Sequence, residues 1–169
     1  MDTIGNQQER SSFNKGWLAG IIDGEGHITL ARQPYRSKHH YRPMITVGNT
    51  NPLIIKKIVD IAQENNLPVY VFTPKPGIKS KRTYWRIQLI GIKRCAKWAE
   101  FLRGSLVGKN EQLDILDKYI SYRLSIPINT SPKSINVSEK DEMFKDRMMK
   151  ANNLYKGEIL NDYTLETHN

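Results

Sequence analysis

Two acidic residues close together in a turn are the side chains of this sequence best suited to chemistry. Asp23 and Glu25 alternate with Gly24 and Gly26 where a helical pattern ends, so the chain must turn sharply there. We expect one carboxylate to bond turn amides and the other to face outward. Outward carboxylates from two copies of the chain, with exposed turn carbonyls, would form an oxygen-rich site for Mg²⁺, which stabilises the attacking and leaving oxygens of phosphodiester hydrolysis. The alternative is that both acids are ordinary helix-end caps.

Three glycines spaced four residues apart lead into this turn. In a helix, Gly16, Gly20 and Gly24 would share one face, and each interior glycine costs about 1 kcal/mol relative to alanine. Missing Cβ atoms let two helix backbones approach closely, and no second helix of the sequence has such a stripe. We therefore predict contact with the same helix of a second copy, a homodimer; the alternative is packing against the chain's own sheet. The predicted interface residues are Gly16, Trp17, Gly20, Ile21 and Gly24.

Three predicted strands, at residues 27–33, 41–47 and 83–90, alternate apolar and polar side chains. Alternation predicts a sheet with one buried side, here containing Ile28, Leu30, Ile45, Val47, Trp85, Ile87 and Leu89, and one polar side. Arg32 departs from the pattern, which indicates a bulge or a strand end. Met44 is an apolar member of the polar side.

The polar sides contain Arg, Gln, His, Thr and Tyr, and no acidic residue. Arg and Gln bind guanine and adenine edges in a DNA major groove, and the Lys and Arg residues of the hairpin tips suit phosphates. The alternative is an ordinary solvated sheet face. The predicted DNA-contacting residues are His27, Thr29, Gln33, Tyr35, Arg36, Lys38, His40, Arg42, Thr46, Lys75, Lys79, Lys81, Arg82, Tyr84, Arg86 and Gln88.

The elements that must position these residues follow a regular order. Helical patterns occupy residues 12–22, with Ser12 as N-cap, then 53–65, 92–102, 110–124 and 139–152; a fourth strand is predicted at residues 69–73. The order helix-strand-strand-helix-strand-strand-helix predicts an α+β fold of two hairpins, each covered by a helix, with further C-terminal helices. We expect residues 1–126 to form the core domain, and residues 127–169 to form a linker, a C-terminal helix and a polar tail of that same domain.

The composition favours a nucleic-acid partner. The 169 residues have a formal net charge of +9 and a pI of about 9.6, which attracts polyanions: nucleic acid first, acidic membrane surfaces second. The basic residues concentrate on strands and hairpin tips rather than on an amphipathic helix. A single cysteine, Cys95, excludes an intramolecular disulfide and a Cys-rich metal site, and we expect it to be buried. With no apolar leader in residues 1–10 and no stretch long enough to span a bilayer, we expect a soluble intracellular protein with neither a membrane nor a small-molecule partner.

The segment Leu18-Ala19-Gly20-Ile21-Ile22-Asp23-Gly24-Glu25-Gly26 resembles the LAGLIDADG signature of homing endonucleases, with changes at Ile21, Gly24 and Glu25. The order of elements through about residue 124 also resembles the core of that family. One copy of the motif implies a homodimer with an antiparallel, saddle-shaped sheet over double-stranded DNA. The resemblance also implies an intron-encoded enzyme that uses Mg²⁺ or Mn²⁺ to cut both strands of a long, near-palindromic site, leaving short 3′ overhangs.

The resemblance assigns roles to individual residues. Glu25 takes the position of the metal-binding acid, where familiar members mostly have Asp, and the Gly24 carbonyl helps to bind the metal. Asn49 matches a polar residue that orients the water network. Lys109 matches a lysine that organises this network or stabilises developing charge, although a basic residue at a helix start is the alternative.

Three other functions compete with a nuclease. The first is an RNA maturase that assists splicing of its host intron, and the second is a non-catalytic DNA-binding regulator on the same scaffold. Retention of an acid at Glu25 argues against the regulator. A small basic structural protein would leave the glycine stripe and the acidic turn unexplained.

Overall fold

A computed structural model describes residues 4–35, 38–73, 83–126 and 137–153. Within these residues the elements are α1 (Ile4–Glu25), β1 (Gly26–Tyr35), β2 (Lys38–Asn49), α2 (Pro52–Glu64), β3 (Val71–Phe72), β4 (Trp85–Ile90), α3 (Ile92–Leu102), α4 (Asn110–Ser125) and α5 (Glu139–Asn153). The α+β class is confirmed. None of these helices is long and apolar enough to cross a lipid bilayer.

The four strands form one antiparallel sheet in the order β1-β2-β4-β3. Ile28 of β1 pairs with Ile45 of β2, which in turn pairs with Leu89 of β4, and all three side chains are buried. The apolar side predicted from alternation is therefore the inner side of the sheet. Helices cover it with further buried side chains, among them Leu18, Ile22, Ile58, Ile61, Cys95, Trp98, Leu116 and Tyr119.

Helix α2 begins where the sequence predicts. The Asn51 side chain accepts a hydrogen bond from the Leu53 N–H at 3.0 Å, and Pro52 occupies the first helical position, where its missing N–H costs nothing. Ile55, Ile58, Ile61 and Ala62 are the buried stripe. This helix packs against the sheet and against α1.

Helix α1 begins earlier than predicted. It starts at Ile4 instead of after Ser12, because residues 7–10 (Gln-Gln-Glu-Arg) are good helix formers with no proline among them. Its N-terminal half also docks on α2: Arg10 and Asn14 donate to the Glu64 carboxylate at 3.3 and 3.2 Å, and Lys57 donates to Asn14 at 2.9 Å. Ser12, a typical capping residue, is therefore tolerated inside α1, because Arg10 before it and Asn14 after it both contact α2.

Neither the bulge nor the strand end indicated at Arg32 is present. Strands β1 and β2 pair continuously from Gly26–Val47 to Tyr35–Lys38. Arg32 lies on the inner side of the sheet near the tip, where its guanidinium contacts His39 Nδ1 at 3.1 Å. A polar residue is accommodated on that side because Arg32 is exposed near the hairpin tip, close to the Glu142 carboxylate of α5.

The second hairpin is shorter than predicted. Of residues 69–73 only Val71 and Phe72 pair as a strand, and β4 begins at Trp85 rather than at residue 83. The intervening tip lies outside the described residues.

Helix α5 closes the outer edge of the sheet. Phe144, Met148 and Ala151 are buried, while Lys145 donates to the Leu30 carbonyl at 3.1 Å and Asn152 to the Ile28 carbonyl at 3.2 Å. Side chains thus cover part of the free edge of β1, which would otherwise offer unpaired backbone groups to another strand. The role of this C-terminal helix was left open by the sequence.

A carboxylate on α5 also holds the hairpin. Glu142 accepts hydrogen bonds from the Tyr41 hydroxyl at 2.8 Å and from His39 Nε2 at 3.1 Å, and the latter bond requires a proton on that nitrogen. The Tyr41 hydroxyl, and after it His39, lower the pKa of the Glu142 carboxyl below its ordinary 4.5. Burial and Glu142 together raise the pKa of Tyr41 to about 12.

We expect Glu142 to stabilise the fold at neutral pH and to lose this effect in acid. Because its pKa is lower in the folded than in the unfolded chain, the stabilisation is complete above the ordinary pKa and disappears as the pH falls through the folded value. Urea unfolding between about pH 7 and about pH 3 should show a gap between wild type and Glu142→Gln that closes in acid. Glu100→Gln, exposed on α3, is the control, and a gap that persists undiminished at the acid end would contradict the assignment.

Candidate nucleic-acid interface and acidic centre

The two acids at the end of α1 have different environments. Asp23 Oδ2 accepts from the Val107 N–H at 2.8 Å, and Oδ1 accepts from the Lys109 N–H at 2.9 Å. It therefore fastens the turn before α4 to the end of α1. Glu25 is exposed and forms no ion pair or hydrogen bond with the described residues. One inward and one outward carboxylate were expected, and the structure identifies Asp23 as the inward one.

Lys109 lies against the same helix end. Its ammonium donates to the carbonyls of Ile22, at 3.1 Å, and of Asp23. A cation there satisfies carbonyls that the helix itself leaves unpaired and opposes the negative end of its dipole. Partial burial lowers the pKa of Lys109, although Asp23 and Glu25 both act to raise it. Lys109 immediately precedes α4, but its side chain bonds to the end of α1, beside Glu25.

Asn49 is the last residue of β2. Its Oδ1 accepts from the Asn51 N–H at 2.8 Å, in the turn that leads into α2. Because Val47 pairs with Gly26, Asn49 lies at the end of the sheet where α1 passes into β1. Alternation places it on the inner side with Val47, rather than on the polar side. Its carbonyl oxygen is used by the turn, and its amide nitrogen has no partner among the described residues.

The polar side of the sheet presents rows of side chains across strands. One row is Gln88, Thr46 and His27, in register on β4, β2 and β1. Toward the outer end, Arg42 is exposed and donates to His40 Nε2 at 2.9 Å. Burial, and then the charge of Arg42, lower the pKa of His40. For His27, burial and then Lys109 lower the pKa.

Thr29 does not fit the predicted surface. It lies on the polar side by alternation, but it is only 7% exposed, because its short side chain sits beside the longer Met44 on β2 and in line with Ile90 on β4. Direct base contact from Thr29 is therefore not supported.

Several predicted DNA-contacting positions fall outside what the structure describes. Arg36, Lys75, Lys79, Lys81 and Arg82 are not among the described residues. The backbones of Tyr35 and Lys38 belong to β1 and β2, but their side chains are not described.

The sequence analysis predicted Tyr84 on the polar side of the sheet but missed a second aromatic residue there, Phe72. Phe72 pairs with Arg86 across β3 and β4, and the guanidinium lies 5.4 Å from the ring centroid. Tyr84 lies across Gly48, where any side chain would overlap its phenol. A glycine inside a strand signals such a close approach, so Gly48 was the clue available in the sequence.

The glycine face of α1 is open. Gly16, Gly20 and Gly24 are exposed, and a Cβ added at any of them would meet nothing within 4 Å. Packing of this face against the chain's own sheet, the alternative considered above, is therefore wrong. Phe13, one turn before Gly16, is 67% exposed. Trp17 and Ile21 are half-buried and pack against the core.

The groups of this centre that could bind a metal ion are hard oxygen donors. Glu25 offers an outward carboxylate, and the helix end beside it offers carbonyl oxygens, which are donors that Mg²⁺ prefers. The described part of the chain contains no group of three His, Cys, Asp or Glu residues that could hold a metal ion by itself. A carboxylate-bound ion at Glu25 would therefore need donors from a second copy, from DNA or from water.

We expect Asp23 to be important for stability. Replacing it with Ala removes the acceptor of two backbone N–H groups and should lower the free energy of unfolding by about 2 kcal/mol, the scale of a hydrogen bond to a charged group. Asp23→Asn keeps one acceptor oxygen and should lose less. Chemical denaturation of the three proteins measures the series, and an Ala variant as stable as wild type would contradict this role.

Searches with the sequence find neither a matching family model nor a matching curated protein. Solved structures do match. The homing endonuclease I-CvuI, crystallised with the I-CreI target in 2 mM Mg with the DNA not cleaved, is 18% identical with a TM-score of 0.63, and the match covers 89% of this chain and 87% of that chain. The homing endonuclease I-TnaI is 11% identical with a TM-score of 0.59, covering 80% and 86%.

Longer proteins match over part of their length. The LAGLIDADG homing endonuclease I-LtrWI, crystallised with target DNA, is 14% identical with a TM-score of 0.59; the match covers 80% of this chain but 43% of that chain. At these identities the comparisons show that the fold is shared.

Proposed function

We propose that this chain is a site-specific homing endonuclease that cuts both strands of a long, near-palindromic DNA site as a homodimer, by metal-dependent phosphodiester hydrolysis. The observation that carries the proposal is the end of α1. There Asp23 is fully engaged in the fold, whereas Glu25, two residues further on, is exposed beside Lys109 and has no hydrogen-bond or ion-pair partner among the described residues. Asp23 alone fastens the helix end to the turn before α4, so the fold gives no reason for a second, exposed acid two residues later.

The open glycine face supports two copies acting together. Gly16, Gly20 and Gly24 form a strip without side chains on the helix that ends at Glu25. Two such helices related by a two-fold axis would bring both Glu25 carboxylates to one centre. The partial match to I-LtrWI supports the same assembly, since this chain corresponds to less than half of that longer protein.

The roles proposed at the centre follow from position. A divalent ion bound by Glu25, with oxygen from the Gly24 end of α1, would stabilise the attacking and departing oxygens of the scissile phosphate. Lys109 fixes the helix end that presents Glu25 and adds positive charge beside it. The amide nitrogen of Asn49, which no described residue engages, lies at this end of the sheet to orient water. The crystals of I-CvuI with Mg or Ca support the choice of a divalent cation.

The polar side of the sheet supports DNA as the partner. Gln88, Arg86 and Arg42 are the donors suited to base edges, and none of the predicted contacts is acidic. DNA-bound structures among the matches support the same partner.

The proposal is tested by selection from a randomised double-stranded library of about 40 base pairs, long enough to span two half-sites of such a dimer. Binding is selected in Ca²⁺, then Mg²⁺ is added and the new ends are sequenced. Cutting at one near-palindromic sequence, dependent on Mg²⁺, is the expected result. Selective binding without cutting in Mg²⁺ or Mn²⁺ would overturn the nuclease and leave a DNA-binding protein on this scaffold; binding of intron RNA in preference to DNA would point to a maturase.

A further inference from the structure

A second basic surface lies at the outer end of the sheet. A cleft of about 830 Å³ opens between β2, the end of β4 and the first turn of α3. Its described lining residues include no acidic side chain. Five basic side chains do, and we call it the outer basic cleft: His40, Arg42, Lys93, Arg94 and Arg123.

Most of this positive charge is uncompensated. Arg123 is paired with Asp141 at 3.2 Å. Arg42, Lys93 and Arg94 form no ion pair with the described residues. Three cations that share one cleft repel each other, and an anion entering the cleft would relieve that repulsion.

Two features of the cleft suit it to bind a phosphate group: a fixed arginine and an uncapped helix start. Arg94 is fixed by its bond to the Ile90 carbonyl at 3.1 Å and by stacking on Tyr70, 4.8 Å from the ring centroid. Gly91, in the N-cap position of α3 with φ 98°, supplies no side-chain cap for the first turn of the helix. Backbone N–H groups at a helix start that lack a side-chain cap favour anions, and those of α3 lie next to the cations of the cleft.

The cleft continues the polar side of the sheet away from Glu25. His40 and Arg42 belong to both surfaces. Arg42 is five residues along β2 from Val47, the partner of Gly26, which is roughly 17 Å at about 3.3 Å per residue. In a duplex lying along the strand, this distance corresponds to about five base pairs at about 3.4 Å per step.

We propose that the outer basic cleft binds the sugar-phosphate backbone of the same DNA duplex, outward of the bases that the polar side contacts. The inference rests on the proposed function and adds to it a sequence-independent anchor at each end of the site. Phosphate contacts of this kind set position and affinity, not base preference.

The test uses Lys93→Gln, because Lys93 is exposed and forms no ion pair with the described residues. Lys97→Gln, one turn further along α3 and outside the cleft, is the matched control. The probes are the selected duplex of about 40 base pairs, the same duplex shortened stepwise from both ends, and a random-sequence duplex of equal length. Affinity is measured in Ca²⁺ across a range of salt concentrations. Lys93→Gln should lower the salt-dependence slope by about 1 for each copy's lost phosphate contact, on selected and random duplexes alike.

Shortening the selected duplex should abolish the difference between Lys93→Gln and wild type once the outer phosphates are gone. Equal affinity and salt slope for Lys93→Gln and wild type on the full-length duplex, or an equal loss in Lys97→Gln, would overturn the cleft's role in binding DNA. If selection yields no specific duplex, the proposed function fails by itself, and the salt slope on random-sequence DNA still decides whether the cleft binds a DNA backbone.

Discussion

Glu25→Gln should abolish DNA cleavage while leaving DNA binding intact. The amide keeps the size of the carboxylate but removes the charge that a divalent cation requires, and within the described part of the chain Glu25 has no bonded partner to lose. We expect the single-turnover rate in Mg²⁺ to fall at least about 100-fold, the scale of removing one preorganised charge-stabilising group. Affinity for the selected duplex, measured by gel shift in Ca²⁺, should stay within a few-fold of wild type.

The matched control is Glu9→Gln, an exposed glutamate on the same helix. It makes the same chemical change far from the centre and should cut like wild type. Glu25→Asp is a useful third variant, because it restores the shorter acid of the LAGLIDADG signature and should retain activity. Wild-type cleavage by Glu25→Gln would show that Glu25 is only a surface residue and would remove the basis of the metal centre.

Gly20→Leu should convert the protein into a folded monomer that does not cut. In a single chain a Cβ at this exposed position meets nothing within 4 Å, and replacing a helix-interior glycine favours the helix by up to about 1 kcal/mol. Between two close-packed helices the same side chain has no room. Sedimentation should therefore show half the mass with an unchanged circular dichroism spectrum, and cleavage should fall at least as far as in Glu25→Gln.

Ser11→Leu is the control for Gly20→Leu. Ser11 is exposed and lies nine residues away, two and a half turns, on the opposite side of α1. It should leave the mass and the activity unchanged. A Gly20→Leu protein that stays dimeric and active would show that the glycine face is not the interface.

Most of the fold followed from alternation and capping. Helices α2 and α3 and the inner sides of β1, β2 and β4 lie where the pattern predicted, because each combines a period with a clear boundary: Asn51-Pro52 before α2, and Gly91 before α3. The start of α1 was wrong because Ser12 resembles a cap, and only the contacts of Arg10 and Asn14 with Glu64 show that the helix continues past it. Such pairs, some fifty residues apart, leave no local signal.

The sequence predicted that Asp23 and Glu25 form the candidate site, but it did not predict which of the two serves the fold and which faces outward. Spacing alone could not say which of Asp23 and Glu25 faces inward, since that depends on Val107 and Lys109, more than eighty residues later in the chain. The contact of Phe72 with Arg86 and the burial of Thr29 likewise depend on which residues pair across neighbouring strands. The outer basic cleft could not be seen at all, because its cations come from three separate elements.

The end of α1 also has a consequence for how activity scales with concentration. One helix carries both the open glycine face and Glu25, so under the proposed function a lone subunit holds only half of the metal ligands, while the polar side of its sheet does not depend on a second copy. Cleavage should then rise as the square of enzyme concentration when the protein is dilute, and unassembled copies would occupy half-sites without nicking them. Dilution itself would act as a safeguard, protecting a genome from single-strand breaks by stray subunits.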